Sequence, residues 1–160
     1  MSFTIGTRDE LIADLSTAVA PGEPERLFVV FRIEGFDQFT NRYGAGAPAA
    51  LVAHVLRCLP PASGPFEFYY RPRKDELCAL ISGDLDGVEP GLFEAANAVY
   101  EILGSTGISL DFGTAFLPAE ARDPTAALAL ADGRMTGGPL ARDPEAPSST
   151  ASPNILASRS

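Results

Sequence analysis

Residues 69–82 read YYRPRKDELCALIS. Two β-forming runs, at 66–71 and 77–82, flank a charged tip, Pro72-Arg73-Lys74-Asp75, in the pattern of a β-hairpin. Two adjacent carboxylates, Asp75 and Glu76, stand where the second strand begins. Such a pair either ligates a cation or is solvated at a turn, and the chain on either side bears on the choice.

Upstream, residues 27–31 read LFVVF, a continuous apolar run that suits a central strand covered on both faces. It ends in Arg32-Ile33-Glu34. A helical segment at 35–43 follows, with Phe36 and Phe39 on one side and Gly44 as its stop. A second helix begins near Pro48 and buries Leu51, Val52, Val55, Leu56 and Leu59. Residues 60–64 form a loop before the hairpin. Downstream, a loop at 84–90 leads into a helix whose core side carries Leu92, Ala95, Ala96, Val99, Ile102 and Leu103. Residues 107–118 alternate as a strand, with Ile108, Leu110, Phe112 and Phe116 on one side. Asp123-Pro124 is an N-cap followed by proline at the first helical position, opening a short helix with Leu128 and Leu130. At the other end, Thr7 caps a first helix with Leu11, Ile12, Leu15 and Val19 as its stripe. From Gly137 onward apolar periodicity stops and Gly, Pro, Ser and Ala dominate, so residues 137–160 read as a disordered tail. The order predicts an α+β fold, a ferredoxin-like β-α-β-β-α-β sheet with helices on one face and an added N-terminal helix.

The 160 residues suit one domain, 1–136, with the tail. The net charge of −9 argues against nucleic acid or an anionic membrane surface as the main partner, since both are polyanions. The two cysteines, Cys58 and Cys78, read as buried small hydrophobes in a reducing compartment. No basic-then-apolar leader and no membrane-length apolar run is legible, so a cytoplasmic location is expected, without membrane insertion. His54 falls off the stripe of its helix and reads as a surface residue. One of Tyr69 and Tyr70 is expected to face the core and the other outward. Asp84 and Asp86 read as loop carboxylates.

With these residues in this order, the chain resembles the GGDEF domain of bacterial diguanylate cyclases. Phe3-Thr4-Ile5-Gly6-Thr7-Arg8 is similar to the family's entry motif, and Phe31-Arg32-Ile33-Glu34-Gly35-Phe36 to the end of its first strand. Arg42-Tyr43-Gly44 fits its Tyr-Gly turn, and Arg73-Lys74-Asp75-Glu76-Leu77 falls on the signature at the hairpin tip. Weaker echoes are residues 109–115 and Ala131-Asp132. The resemblance implies a nucleotidyl cyclase-like palm over residues 3–136.

The departures bear on function. The resemblance places a cation-binding aspartate at Arg32, and a guanidinium has no lone pair for Mg²⁺. It places two glycines at Arg73 and Lys74, the guanine-reading Asn and Asp at Thr40 and Ala49, and a lysine at Asp37. The family's phosphate-binding Lys and Arg beyond Asp132 have no counterpart in Gly133-Arg134-Met135-Thr136. Its product-binding Arg-x-x-Asp falls on Gly64-Pro65-Phe66-Glu67, which keeps one carboxylate. The resemblance therefore implies that Arg32, Glu34, Thr40, Asp75 and Glu76 are vestiges of a metal and nucleotide position. Asp75 and Glu76 are either partners for Arg32 in the space of the lost cation or solvated turn residues. Neither a catalytic residue, a metal nor a cofactor is expected. The leading expectation is a catalytically inactive GGDEF-like domain acting through contacts with another signalling protein or with itself as a homodimer. The alternative is a non-catalytic receptor for GTP or cyclic di-GMP, with Arg71, Arg73 and Lys74 contacting phosphate. An active cyclase with a metal on Asp75, Glu76 and Glu34 ranks last, because Arg32 stands among those acids.

Overall fold

The central strand, β2 (Arg26–Glu34), is hydrogen-bonded along both edges and covered on both faces. In this computed structural model, residues 5–59, 69–83 and 85–135 are described. The expected loop at 60–64, the start of the first hairpin strand at 66–68, the product-site positions at 64–67, Asp84 and the tail at 137–160 lie outside them.

The elements follow as β1 (Ile5–Gly6), α1 (Arg8–Ala18), β2, α2 (Phe36–Tyr43), α3 (Ala47–Cys58), β3 (Tyr69–Arg73), β4 (Glu76–Ile81), α4 (Val88–Leu103), a 3₁₀ turn (Gly104–Thr106), β5 (Ser109–Leu117) and α5 (Pro124–Gly133). The five-stranded sheet has the order β1-β3-β4-β2-β5. β2 runs antiparallel to β4, from Leu27↔Ile81 to Arg32↔Glu76, and to β5, from Arg26↔Leu117 to Glu34↔Ser109. The four strands after β1 have the ferredoxin-like α+β arrangement that the element order predicts. β1 was not expected, because two residues parallel to β3 are too short to carry a period.

The local chemistry explains the ends of the elements. Thr7 and Glu10 form a reciprocal capping box at α1, Thr7 Oγ1 accepting from the Glu10 N–H at 3.2 Å and Glu10 Oε1 from the Thr7 N–H at 2.7 Å. Asp123 Oδ1 accepts from the Ala126 N–H at 2.8 Å, with Pro124 in the first turn of α5. Gly35 turns β2 into α2 at φ 85°, and a Cβ there would meet the Gly107 carbonyl oxygen at 2.4 Å, so only glycine fits. The hairpin tip is tighter than expected. Pro72 and Arg73 belong to β3, Lys74-Asp75 make the turn, and the register shifts between Tyr70 and Arg73, where Pro72 has no N–H to donate.

The expectation of helices on one face needs correction. Leu27, Val29, Phe31 and Ile33 pack with Leu51, Val55, Leu92 and Val99 under α3 and α4. Phe28, Val30, Tyr70 and Cys78 pack on the opposite face with Leu11, Leu15, Ala127 and Ala131 from α1 and α5. Tyr70 is therefore buried rather than outward. α1 covers it, and its hydroxyl donates to Asp14 Oδ2 at 2.5 Å. Burial also raises its phenol pKa well above the usual value. Two expected core residues are exposed, Ile102 at 60% and Phe116 at 40%. Ile102 lies on the flank of the α4 stripe, and Phe116 lies near the end of the edge strand β5, where cover from the helices runs out. In α5 the fully buried positions are Ala127 and Ala131, while Leu128 and Leu130 are half-buried at its side.

α5 approaches β5 closely. A Cβ on Gly113 would lie 1.8 Å from the Ala131 carbonyl oxygen, so α5 rests on bare backbone. We expect Gly113→Ala to destabilise the fold by roughly 1–3 kcal/mol through overpacking, read as a lower urea midpoint at unchanged m. The end of α5 is tied to β5 by Arg134, which donates to the Thr114 carbonyl at 3.2 Å and pairs with Glu120 at 2.8 Å. The Arg134 hydrogen bond, followed by the Phe116 N–H, lowers the Glu120 pKa from 4.5 to about 2. A depressed acid stabilises the fold above its unfolded pKa and loses that contribution as pH falls through the folded one. The stability difference between the wild type and Glu120→Gln should therefore shrink between pH 4.5 and about 2, followed by thermal melts.

Candidate functional site

Strand alternation places Arg32 and Glu34 on the face of β2 that α1 and α5 cover, at its C-terminal end. The β2–β4 register sets Glu76 directly opposite Arg32, and the β2–β5 register sets Asp111 on its other side. Arg32 donates from one guanidinium nitrogen to Glu76 Oε2 at 3.3 Å and to Asp132 Oδ1 at the end of α5. One cation thus ties β2, β4 and α5 together. Desolvation works to lower the Arg32 pKa, but the hydrogen bonds and charges of Asp132 and Glu76 together outweigh it and raise it, so the guanidinium stays charged.

Asp75 meets the strand through its backbone. Its carbonyl accepts from the Ile33 N–H at 2.8 Å, carrying the β2–β4 pairing one step into the turn. Glu34 lies near Asp111 and Asp75. Burial, then the Asp111 charge and hydrogen bond, raise the Glu34 pKa, with Arg32 opposing. Thr40 is half-buried on α2 and donates to the Asp37 carbonyl at 3.1 Å, while Ala49 is exposed on α3.

The three basic residues of the tip are placed separately. Arg71 folds back and donates to the Lys74 carbonyl at 2.8 and 3.2 Å. Lys74 pairs with Asp37 at 2.6 Å. Arg73 is largely exposed and approaches Glu76 only to 3.9 Å. The Lys74–Asp37 pair joins the hairpin to α2 at positions where the resemblance places a glycine and a lysine. His54 is on the surface, 2.9 Å from Arg57.

A divalent cation does not fit between Arg32, Glu76 and Asp132. The position that the motif assigns to a carboxylate holds a charged donor, and that donor already occupies Glu76 and Asp132. Among the described residues, no group of three or more His, Cys, Asp or Glu is arranged to hold a metal ion. Asp132 and Asp111 complete the cluster but were not among the sequence candidates. They stood in the chain only as echoes of later motifs, and nothing local shows that α5 ends over Arg32.

The fold is that of the GGDEF domains of diguanylate cyclases. A sensory box/GGDEF family protein from Caulobacter crescentus superposes with a TM-score of 0.59 at 24% identity, over 82% of this chain and 91% of that one. The GGDEF domain of DgcB from the same organism, solved with c-di-GMP, gives 0.58 at 19% identity over 82% and 83%. The diguanylate cyclase SiaD of Pseudomonas aeruginosa, solved with its activator SiaC, gives 0.59 at 13% identity, over 81% of this chain and 53% of that one. No protein-family model matches the chain, and no curated protein matches it. Among the described residues, no helix is long and apolar enough to cross a membrane.

The raised Glu34 pKa has a signed consequence. An acid whose folded pKa exceeds its unfolded value costs stability at neutral pH, and the cost fades as pH falls to the unfolded value. Glu34→Gln is expected to stabilise the protein at pH 7, by no more than about 1 kcal/mol because the site is solvent-screened. The gain should vanish below pH 4.5, checked by thermal denaturation across that range.

Proposed function

We propose that this chain is a degenerate GGDEF-fold domain, a pseudoenzyme of cyclic di-GMP signalling in the bacterial cytoplasm, which works by contacts with a partner protein or a second copy of itself. One observation carries the reading: Arg32 holds Glu76 and Asp132 where the motif would place a cation ligand. Phosphoryl transfer from a nucleoside triphosphate needs the triphosphate charge neutralised and the nucleophile aligned with the leaving group. A guanidinium already engaged by two carboxylates does neither through a metal. Lys74 and Arg73 add side chains where the motif has bare backbone, and Thr40 spends its hydroxyl on its own helix.

The SiaD–SiaC complex supports the contact mode, since a protein of this fold there binds an activator. The receptor reading draws on DgcB, solved with c-di-GMP. It is weaker for this chain because Arg71 and Lys74 are already engaged, which leaves Arg73 alone at the tip.

Calorimetric titration with GTP plus Mg²⁺, then with cyclic di-GMP, tests the proposal alongside a pyrophosphate-release assay. The expected outcome is no binding heat and no release. Mg²⁺-dependent pyrophosphate from GTP would overturn it in favour of an enzyme, and saturable heat without turnover in favour of a receptor.

A further inference from the structure

Between the first turn of α1, the end of β3 and α5 lies a cavity of about 310 Å³, floored by Val30 of β2. That size is at the lower end of small-molecule sites, enough for one compact ligand. Its walls divide chemically. Val30, Pro72 and Leu128 supply an apolar lining, and Arg8, Arg32 and Arg73 bring three guanidinium groups to it. The carboxylates there, Glu76 and Asp132, are both engaged by Arg32. Arg8 has no ion pair or hydrogen bond among the described residues, and Arg73 has only the 3.9 Å approach to Glu76. The cavity therefore carries one surplus positive charge on a chain of net charge −9.

We propose that this cavity binds a small amphipathic monoanion, a carboxylate on a compact apolar body, with Arg8 and Arg73 holding the carboxylate and Val30, Pro72 and Leu128 covering the body. Arg8, with no partner among the described residues, and Arg73, 3.9 Å from Glu76, both line the cavity, and arginine suits charge-assisted, bidentate contact with a carboxylate. The surplus of a single charge sets the valence of the head. A phosphomonoester would bring a second negative charge towards Glu76 and Asp132, which have no cation to spare. The apolar wall of half-buried Pro72 and Leu128 selects against a bare inorganic anion, which would leave that surface unused. The site shares Arg73 with the expected phosphate patch at the hairpin tip but not Arg71 or Lys74, and it does not rest on the protein-contact reading of the domain.

The test is titration of the ¹⁵N-labelled full chain with phenylacetate at constant ionic strength, with acetate and phenyl phosphate as comparators. Phenylacetate should give saturable shifts at the amides of Arg8, Arg73, Thr125 and Leu128. Acetate should not saturate, and phenyl phosphate should bind more weakly. Arg8→Glu with Arg73→Glu should weaken phenylacetate by about ten-fold or more with an otherwise unchanged spectrum, since both side chains are exposed. Leu128→Gln should weaken it while leaving both arginines in place. The proposal fails if phenylacetate does not saturate, if its shifts fall elsewhere, if the charge-reversed variant binds equally well, or if phenyl phosphate binds more tightly.

Discussion

Every other element takes its place from β2, a strand whose two edges and two faces are all occupied. Leu27 to Phe31 are nearly or fully buried, with β4 and β5 bonded on either side. Burial of both faces demands two helical layers, because an apolar sheet face left in water forfeits about 25 cal/mol per Å². α3 and α4 meet one demand, α1 and α5 the other. Period-2 alternation then fixes which side chains emerge on which face where the strand leaves the core. Arg32 and Glu34 must emerge towards α1 and α5, and Ile33 towards α3 and α4.

That geometry concentrates charge at one end of the sheet. Arg32, Glu34, Glu76, Asp111 and Asp132 come from β2, β4, β5 and α5, and only the strand registers and the end of α5 bring them together. Arg32 offsets two of the acids. Glu34 and Asp111 remain side by side, and the raised pKa of Glu34 follows from that crowding and from burial. The cluster is partly solvated, so its ion pairs contribute modestly to stability.

The same face has a second property. Ala131 of α5 leans on Gly113, and the side of α5 carrying Thr125, Leu128 and Asp132 faces the cavity that Arg8 and Arg73 also line. The charged cluster and the proposed carboxylate site share Arg32, Glu76 and Asp132.

Much of this was legible in the chain itself. The apolar run at 27–31, the hairpin around Lys74-Asp75, the caps at Thr7 and Asp123 and the Gly44 stop are local signals, because hydrogen bonding and side-chain period act over a few residues. The presence of Arg32, Arg73 and Lys74 at the motif positions of the resembling family could be read there too. The tertiary structure alone decided the burial of Tyr70, the exposure of Ile102 and Phe116, the two-residue strand β1 and the meeting of Arg32 with Asp132. These depend on which helix covers which face and on pairings between residues as many as 100 positions apart. Local period carries no information about such neighbours, which the packing of α1 and α5 against the second face of the sheet selects.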